Sequence, residues 1–287
     1  HRDVTATVNR AFREFFATPA EKPTRRPRLP SLLALRATGF QDSERARHNL
    51  QLIVEGRPLV PYAGALRAAL DRLIPALLDA VWKSPDPDEA LNQFERFLAA
   101  AGPRAGLVEM LAANPDLLTG LVRVCAGGDL LTQLLIAQPE LLTSLADPGA
   151  LAAERRRGFH EALVPVLAPG LSSAERRDRL RRGKQAEELA IVWRYLLGAT
   201  SIEGYGREMT RLAEAALLAG WLLALTPLVE RHSVPRDLDG RFIPAVIVGL
   251  GKLGGRELTT GSDLDLFVVF GDDGATDGET RVDAHSF

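Results

Sequence analysis

The chain contains 287 residues, 46% of them hydrophobic, which is enough to bury a sizeable core in roughly one to three domains. Its 35 basic and 37 acidic side chains give a formal net charge of −2, so no overall basic field indicates a nucleic-acid partner. The single cysteine, Cys125, excludes an internal disulfide and is typical of a cytoplasmic protein. The sequence begins with His1 rather than methionine and shows no secretory signal, so we expect a piece of a longer cytoplasmic chain.

Residues 1–20 are predicted to form the last helix of a preceding module. Val4, Val8 and Phe12 recur there at helical spacing within "VTATVNRAFREFF". The following segment, "EKPTRRPRLP", contains three prolines. Because proline disfavours helical conformations in the residue before it, we predict a linker at 21–30.

Residues 31–184 are predicted to be almost entirely helical. The clearest signal is "SPDPDEALNQFERFLAAAG", in which Asp86 can cap a helix and Pro87 suits its first turn. An apolar stripe then runs from Leu91 to Ala101, and Gly102 is expected to end the helix. This pattern predicts an amphipathic helix packed in a helical region.

The segment "SSAERRDRLRRGKQAEE" is predicted to be another helix, because Ser172 and Glu175 form a capping box. It carries six basic residues through Lys184. A nucleic-acid patch is the alternative to a solvated helix face. No aromatic side chains interleave with the arginines, so we favour the solvated face and predict no nucleic-acid partner.

The segment "LAEAALLAGWLLALTPLV" is the one stretch that resembles a membrane span. Its uninterrupted apolar part, Ala215 to Leu225, is shorter than the ~18 residues that a spanning helix needs. Glu214 and Pro227 flank it. We therefore predict a helix buried in a soluble core and no membrane partner.

The pattern changes near Arg241, where short β-branched runs replace helical periodicity. "FIPAVIVGL" from Phe242 and "LDLFVVF" from Leu264 are predicted strands. The sequence therefore predicts a mainly helical region followed by an α/β unit at 185–287, and the unit is expected to be incomplete because the sequence stops soon after it starts.

Two carboxylates lie at the start of the second predicted strand. Asp263 and Asp265 are two residues apart, so their side chains leave the same face of an extended chain. Like charges this close repel each other unless a cation joins them, and carboxylate oxygens suit Mg²⁺. The spacing indicates a candidate metal pair.

A glycine-rich segment, "GLGKLGG", precedes the carboxylates. Gly251, Gly254 and Gly255 are predicted to let backbone amides approach phosphate oxygens, and Lys252 adds a positive charge. Together with the carboxylates this arrangement is typical of nucleotidyl transfer. The segment lacks the Gly-Lys-Ser/Thr of a P-loop, and no helix is predicted directly after the glycines as a dinucleotide fold requires. An ordinary glycine turn is the structural alternative.

The whole stretch "GLGKLGGRELTTGSDLDLFVVF" resembles the signature of the bacterial glutamine synthetase adenylyltransferase family, which belongs to the polymerase-β-like nucleotidyltransferases. The superfamily pattern is a hydrophobic residue, two small residues, a spacer and Asp-x-Asp. The residues that match it are Leu253, Gly254, Gly255, Asp263 and Asp265. A weaker likeness extends back through "REMTRLAEAALLAG" and "LLIAQPELLTSL".

This resemblance implies a fold, a cofactor and roles for named residues. The fold is a mainly α N-terminal helical region followed by an α+β polymerase-β-like nucleotidyltransferase domain, incomplete in this chain. Mg²⁺ and ATP are implied, with Asp263 and Asp265 as the metal ligands and catalytic carboxylates. The residues implied to contact the nucleotide are Lys252, Gly254, Gly255 and Ser262, the last as a possible hydroxyl donor.

Members of the family have two nucleotidyltransferase halves joined by helical regions. One half attaches AMP to a tyrosine of glutamine synthetase, and the other removes it by phosphorolysis. "RELTTGSDLDL" resembles the attaching, C-terminal half. The family implies glutamine synthetase and PII signal proteins as partners. The AMP-removing half and a non-catalytic helical docking module remain as alternatives.

A third carboxylate of the family's active site is expected on a later strand, after Phe287. Asp272 and Asp273 are poor substitutes, because the intervening strand should carry them to the far edge of the sheet. We therefore expect the chain to be inactive by itself.

Overall fold

The computed structural model describes residues 29–56, 62, 64–102, 104–146, 158–159, 163–271, 273–278, 280–284 and 286–287. The helix predicted at 1–20 and the linker predicted at 21–30 lie outside these residues, apart from Leu29 and Pro30, which have no regular structure.

The described residues are mainly helical, as predicted. The helices of the first region are α1 Leu32–Ala37, α2 Ser43–Glu55, α3 Gly64–Trp82, α4 Pro87–Ala101, α5 Ala105–Ala113, α6 Pro115–Ala126, α7 Asp129–Ala137 and α8 Leu141–Leu145. A 3₁₀ helix at Val164–Leu167 precedes two longer helices, α9 Ser173–Leu196 and α10 Ile202–His232. Strand β1 Ala245–Gly249, the short helix α11 Gly251–Gly254 and strand β2 Leu266–Phe270 follow.

Two of these helices begin where the sequence predicted, and capping hydrogen bonds fix both starts. The Asp86 side chain accepts the Glu89 N–H at 3.0 Å, and Pro87 is the first residue of α4. At the start of α9 the Ser172 hydroxyl accepts the Glu175 N–H at 3.3 Å, while the Glu175 carboxylate accepts the Ser172 N–H at 2.8 Å. Each bond uses a helix-terminal N–H that has no partner within the helix, so these ends are fixed by neighbouring residues.

The described helices enclose two hydrophobic cores that share α9. The first core is formed by α1–α8 and receives Leu189 and Trp193 from α9. The second core lies between α9 and α10 and receives Leu253 and Leu258 from the segment after β1. The domain limit predicted at 184/185 falls inside the continuous helix α9, and the limits of the domains stay a prediction.

Helix α10 differs from the predicted buried helix in length and burial. It spans 31 residues and continues through Pro227 to His232. Its buried residues end at Ala219, since beyond that point α10 extends past the second core. By length and composition it is the one helix among the described residues that could cross a membrane, and only 22% of its most apolar window is buried.

Within the described residues, strands β1 and β2 form a two-stranded antiparallel sheet. Its register pairs Ala245 with Phe270 and Gly249 with Leu266. Both strands are shorter than predicted. Proline has no N–H to donate to a ladder, so β1 begins after Pro244 rather than at Phe242. On the other strand the ladder begins at Leu266, two residues later than predicted.

Candidate functional site

The glycine segment between the strands folds into one helical turn rather than the open loop that we expected. Gly251–Gly254 forms α11, because the Gly254 N–H donates to the Leu250 carbonyl and the Gly255 N–H donates to the Gly251 carbonyl, each at 2.9 Å. Gly251 has a φ of 49°, in the left-handed region that favours glycine. The turn therefore depends on the residue type at its first position.

Asp265 lies directly against this turn. A Cβ atom placed on Gly251 would be 2.5 Å from the Asp265 Oδ2 atom, which is closer than real side chains approach. The backbone fixes the same pairing, since the Leu250 N–H donates to the Asp265 carbonyl at 2.8 Å. The glycine at 251 thus makes room for the carboxylate of the second aspartate.

The other two glycines have a different role from the one expected. Both amide hydrogens are already donated inside the turn, so they are not free for a phosphate. A Cβ atom at Gly254 would lie 2.7 Å from the Gly249 carbonyl oxygen, and one at Gly255 would lie 3.3 Å from the Gly251 carbonyl oxygen. Position 254 therefore requires glycine, because the backbone packs closely on itself, while position 255 is tightly packed. Lys252 is exposed on the same turn.

Asp263 and Asp265 are both exposed in the extended segment before β2. They supply carboxylate oxygens at i and i+2, which is the donor type that Mg²⁺ prefers, so the pair fits as part of a magnesium site. Across the described residues no group of three or more His, Cys, Asp or Glu side chains could hold a metal ion. Asp273 lies beyond the opposite end of β2, and Asp272 is outside the described residues.

Ser262 closes a tight turn immediately before the carboxylates. Its hydroxyl lies 2.9 Å from the Thr259 hydroxyl and accepts the Thr259 N–H at 3.2 Å. Its own N–H donates to the Thr259 carbonyl at 3.1 Å. The hydroxyl that was expected to meet the nucleotide is therefore engaged in shaping this turn.

Two residues from the long helices reach this turn, and the sequence analysis missed both. Tyr205 of α10 accepts the Thr260 N–H through its hydroxyl at 2.8 Å, and Glu188 of α9 accepts the Thr260 hydroxyl at 3.0 Å. They lie 55 and 72 residues before Thr260, so no local sequence pattern connects them with it.

A cavity of about 750 Å³ lies next to the site, between the hairpin and helices α7, α9 and α10. Leu264, Leu266 and Val268 line it from the second strand and its approach, together with Ser262. Side chains alternate along an extended chain, so Asp263 and Asp265 leave the opposite face. The cavity and the carboxylates therefore occupy different faces of the hairpin.

The structure thus defines a helical protein that presents an Asp-x-Asp pair on a strand hairpin beside a glycine turn. A family model described as "Glutamate-ammonia ligase adenylyltransferase" matches residues 118–287. The chain belongs to this family, which confirms the resemblance noted from the glycine and aspartate signature.

Several curated relatives carry the name "Bifunctional glutamine synthetase adenylyltransferase/adenylyl-removing enzyme". The protein of Thioalkalivibrio sulfidiphilus is 32% identical over 262 residues, covering 88% of this chain and 27% of the relative. That of Bradyrhizobium sp. strain ORS 278 is 31% identical over 290 residues, covering 99% and 28%. That of Pseudomonas aeruginosa is 32% identical over 258 residues, covering 87% and 26%. The chain therefore spans about a quarter of the length of these relatives.

Proposed function

We propose that this chain takes part in the Mg²⁺-dependent transfer of AMP from ATP to a tyrosine of glutamine synthetase, and that residues 185–287 begin a polymerase-β-like nucleotidyltransferase domain. Membership of the family supports the class of reaction. The printed names of the relatives support the protein substrate and include both an attaching and a removing activity.

The observation that carries this proposal is the contact between Asp265 and the glycine turn. A Cβ atom at position 251 would meet the exposed Asp265 carboxylate at 2.5 Å, and the φ of 49° there favours glycine. The same arrangement suits a site where a cation and a phosphate chain must approach the backbone closely.

Each residue has a defined part in the proposed reaction. Asp263 and Asp265 would hold Mg²⁺, which would supply positive charge to offset the charge of the phosphates. Lys252 contributes a positive charge to the triphosphate from the exposed side of the turn, and Gly254 and Gly255 keep that turn compact. Ser262 holds the shape of the segment before the carboxylates and is the nearest hydroxyl donor to them in sequence.

The chemical step is a displacement at the α-phosphorus of ATP. The tyrosine oxygen forms a bond to this phosphorus, the bond to the bridging oxygen breaks, and pyrophosphate leaves. The proton of the tyrosine hydroxyl passes to water.

The helical region at 31–184 is proposed to orient glutamine synthetase, after a linker at 21–30 and the end of a preceding module at 1–20. PII signal proteins are the proposed regulatory partners, and the proposed location is the cytoplasm. We propose no nucleic-acid or membrane partner. These assignments come from the family and from the sequence patterns described above.

The test uses the Asp263→Asn, Asp265→Asn double variant in the full-length protein. Amide side chains cannot offset the cation's charge, so the Mg²⁺-dependent ATP site of this half should be lost, which calorimetry measures as a smaller number of sites, while the circular dichroism spectrum is unchanged. Asp273→Asn is the matched control, since it changes an aspartate at the other end of β2 and should bind ATP normally. An equal number of Mg²⁺-dependent ATP sites in the double variant and the wild type would overturn the assignment.

The same variant distinguishes the two directions of the reaction. The proposal requires loss of ATP-dependent modification of glutamine synthetase, with phosphate-dependent removal of AMP retained. The sequence "RELTTGSDLDL" resembles the attaching half and therefore favours the attachment of AMP. The reverse outcome assigns this chain to the removing activity, and retention of both activities assigns it to docking.

A further inference from the structure

Thr260 joins the segment that carries the two aspartates to the helical region by hydrogen bonds, in addition to the apolar contacts of Leu258. The backbone N–H of Thr260 donates to the Tyr205 hydroxyl at 2.8 Å, and its side-chain hydroxyl donates to the Glu188 Oε1 atom at 3.0 Å. One residue of the segment therefore contacts both long helices, three positions before Asp263.

Both acceptors are held firmly in place. Glu188 and Tyr205 are 7% and 6% exposed, and the second oxygen of Glu188 accepts a hydrogen bond from the Lys184 ammonium at 2.5 Å. The Tyr205 ring stacks on that of Tyr195 with centroids 4.9 Å apart. Buried groups with few alternative rotamers are suited to fixing the position of a surface segment.

The two helices are also joined to each other next to these residues. The Arg194 Nη2 atom donates to both carboxylate oxygens of Glu208 at 2.9 Å, and the two side chains are 3% and 6% exposed. A buried charged pair with this geometry resists separation, because parting it would leave a buried charge uncompensated. The helices α9 and α10 thus act as one support for Thr260.

The two helices can influence the position of Asp263, because the segment from Thr260 to Asp265 is short and hydrogen-bonded at both ends. Thr260 lies within the turn that Thr259 and Ser262 close by three contacts, and the Asp265 carbonyl accepts the Leu250 N–H at 2.8 Å. Asp263 lies between these two points. A shift of Thr260 would therefore displace the Asp263 carboxylate.

We infer that Glu188 and Tyr205 are positioning residues for the metal-binding carboxylates and that they act through Thr260. The inference rests on the proposed function, since it assigns the purpose of holding Asp263 in place. The inference connects the helical region with the proposed metal site, because a movement of α9 against α10 would change the geometry of the carboxylate pair.

The first measurement needs neither metal nor nucleotide. In the full-length protein without Mg²⁺, amide hydrogen exchange followed by mass spectrometry should be faster around Thr260 in the Tyr205→Phe variant, because the amide loses its acceptor. Tyr195→Phe is the matched control, since it removes a hydroxyl from the stacked partner ring and should leave this exchange unchanged. Unchanged exchange in Tyr205→Phe would contradict the attachment.

The second measurement is the Mg²⁺ concentration that half-saturates ATP binding, determined by calorimetry. Tyr205→Phe and Thr260→Val should each raise it by about tenfold, which corresponds to one lost hydrogen bond that orders a charged site. Thr226→Val is the control, because it removes an exposed hydroxyl of α10 that bonds to the Leu222 carbonyl. A purely structural role would lower the melting temperature and leave the half-saturating concentration of the folded protein unchanged, which would overturn the inference.

Glu188 is tested by a conservative pair. Glu188→Gln keeps an oxygen that can accept the Thr260 hydroxyl but loses the charge that pairs with Lys184, whereas Glu188→Leu loses both. Positioning through Thr260 predicts that Gln preserves the Mg²⁺ half-saturation and that Leu does not. Equal effects of Gln and Leu would show that the ion pair is what matters and would refute the role through Thr260.

The failure of the proposed function gives a different result. If the Asp263→Asn, Asp265→Asn double variant binds ATP with the same Mg²⁺ dependence as the wild type, the metal site itself is wrong. If the double variant loses this dependence while Tyr205→Phe and Thr260→Val retain it, the metal site stands and only the positioning inference fails.

Discussion

The helical bundle and the strand hairpin of this protein differ in how they are stabilised. In the bundle the largest side chains, such as Phe94 and Trp193, have 0% and 1% of their surface exposed. In the hairpin every residue of β2 is exposed by 38% to 47%, although all five are large and apolar. The carboxylate pair is therefore carried by the less buried of these two regions.

This difference indicates where the geometry of the candidate site comes from. An isolated two-stranded hairpin is at best marginally stable in water. The site depends instead on Leu253 and Leu258, which the segment between the strands inserts into the second core, and on the bonds to Thr260. Order in the hairpin is thus supplied by α9 and α10.

The largest expected effect comes from making the same substitution in both regions. In the 287-residue chain, Phe94→Ala should lower the free energy of unfolding by about 3–5 kcal/mol, because it leaves a cavity in the first core. Phe267→Ala, at 46% exposure, should cost only about 1 kcal/mol. Urea denaturation followed by circular dichroism gives both values. Equal costs would contradict the contrast between bundle and hairpin.

A substitution in the glycine turn should separate activity from stability. Gly251→Ala adds a Cβ atom 2.5 Å from the Asp265 carboxylate and a side chain at a φ of 49°. A misplacement of about 1 Å in a catalytic constellation costs about 10²-fold in rate, so AMP transfer by the full-length protein should fall by that order. Gly220→Ala in α10 is the control, since nothing lies within 4 Å of its added Cβ atom. Normal transfer by Gly251→Ala would count against the role of the contact.

The parts of the fold that the sequence predicted are those fixed by neighbours along the chain. Asp86 with Glu89 and Ser172 with Glu175 cap their helices within three residues, so the pattern alone places both starts. The burial of α10 was predicted only in part, because an apolar run does not show which of its residues reach the core, and the buried residues of α10 end at Ala219.

The residues of the candidate site also divide into those that the sequence predicted and those that depend on tertiary contacts. The glycines and the two aspartates were recognisable because their spacing carries the chemistry, although the pairing of Gly251 with Asp265 required the three-dimensional structure. Glu188 and Tyr205 could not be predicted, because their contacts with Thr260 depend on how α9 packs against α10.

The third effect concerns the buried thiol of the bundle. Burial raises the pKa of Cys125 from 9.0 to about 12, so the folded state keeps the thiol protonated at a pH where the unfolded chain ionises. The stabilisation is fully present below pH 9.0 and is lost as the pH rises towards 12, by about 1.4 kcal/mol per pH unit. The measurement is the free energy of unfolding at alkaline pH in wild type and Cys125→Ala. Parallel pH profiles would refute the assignment.

The smallest expected effect lies on the surface of the bundle, at Asp129 in the first turn of α7. Hydrogen bonds from Gln93 at 2.6 Å and Arg96 at 3.0 Å lower the pKa of this carboxyl, so the folded state favours the charged form. The stabilisation is present above the ordinary aspartate pKa and is lost as the pH falls through the lowered value. Asp129→Asn should therefore reduce stability slightly near neutral pH and converge with wild type in strong acid. Because the side chain is 69% exposed, added salt should shrink the difference. A difference that persists unchanged in strong acid would show that packing, rather than charge, fixes the contact between α4 and α7.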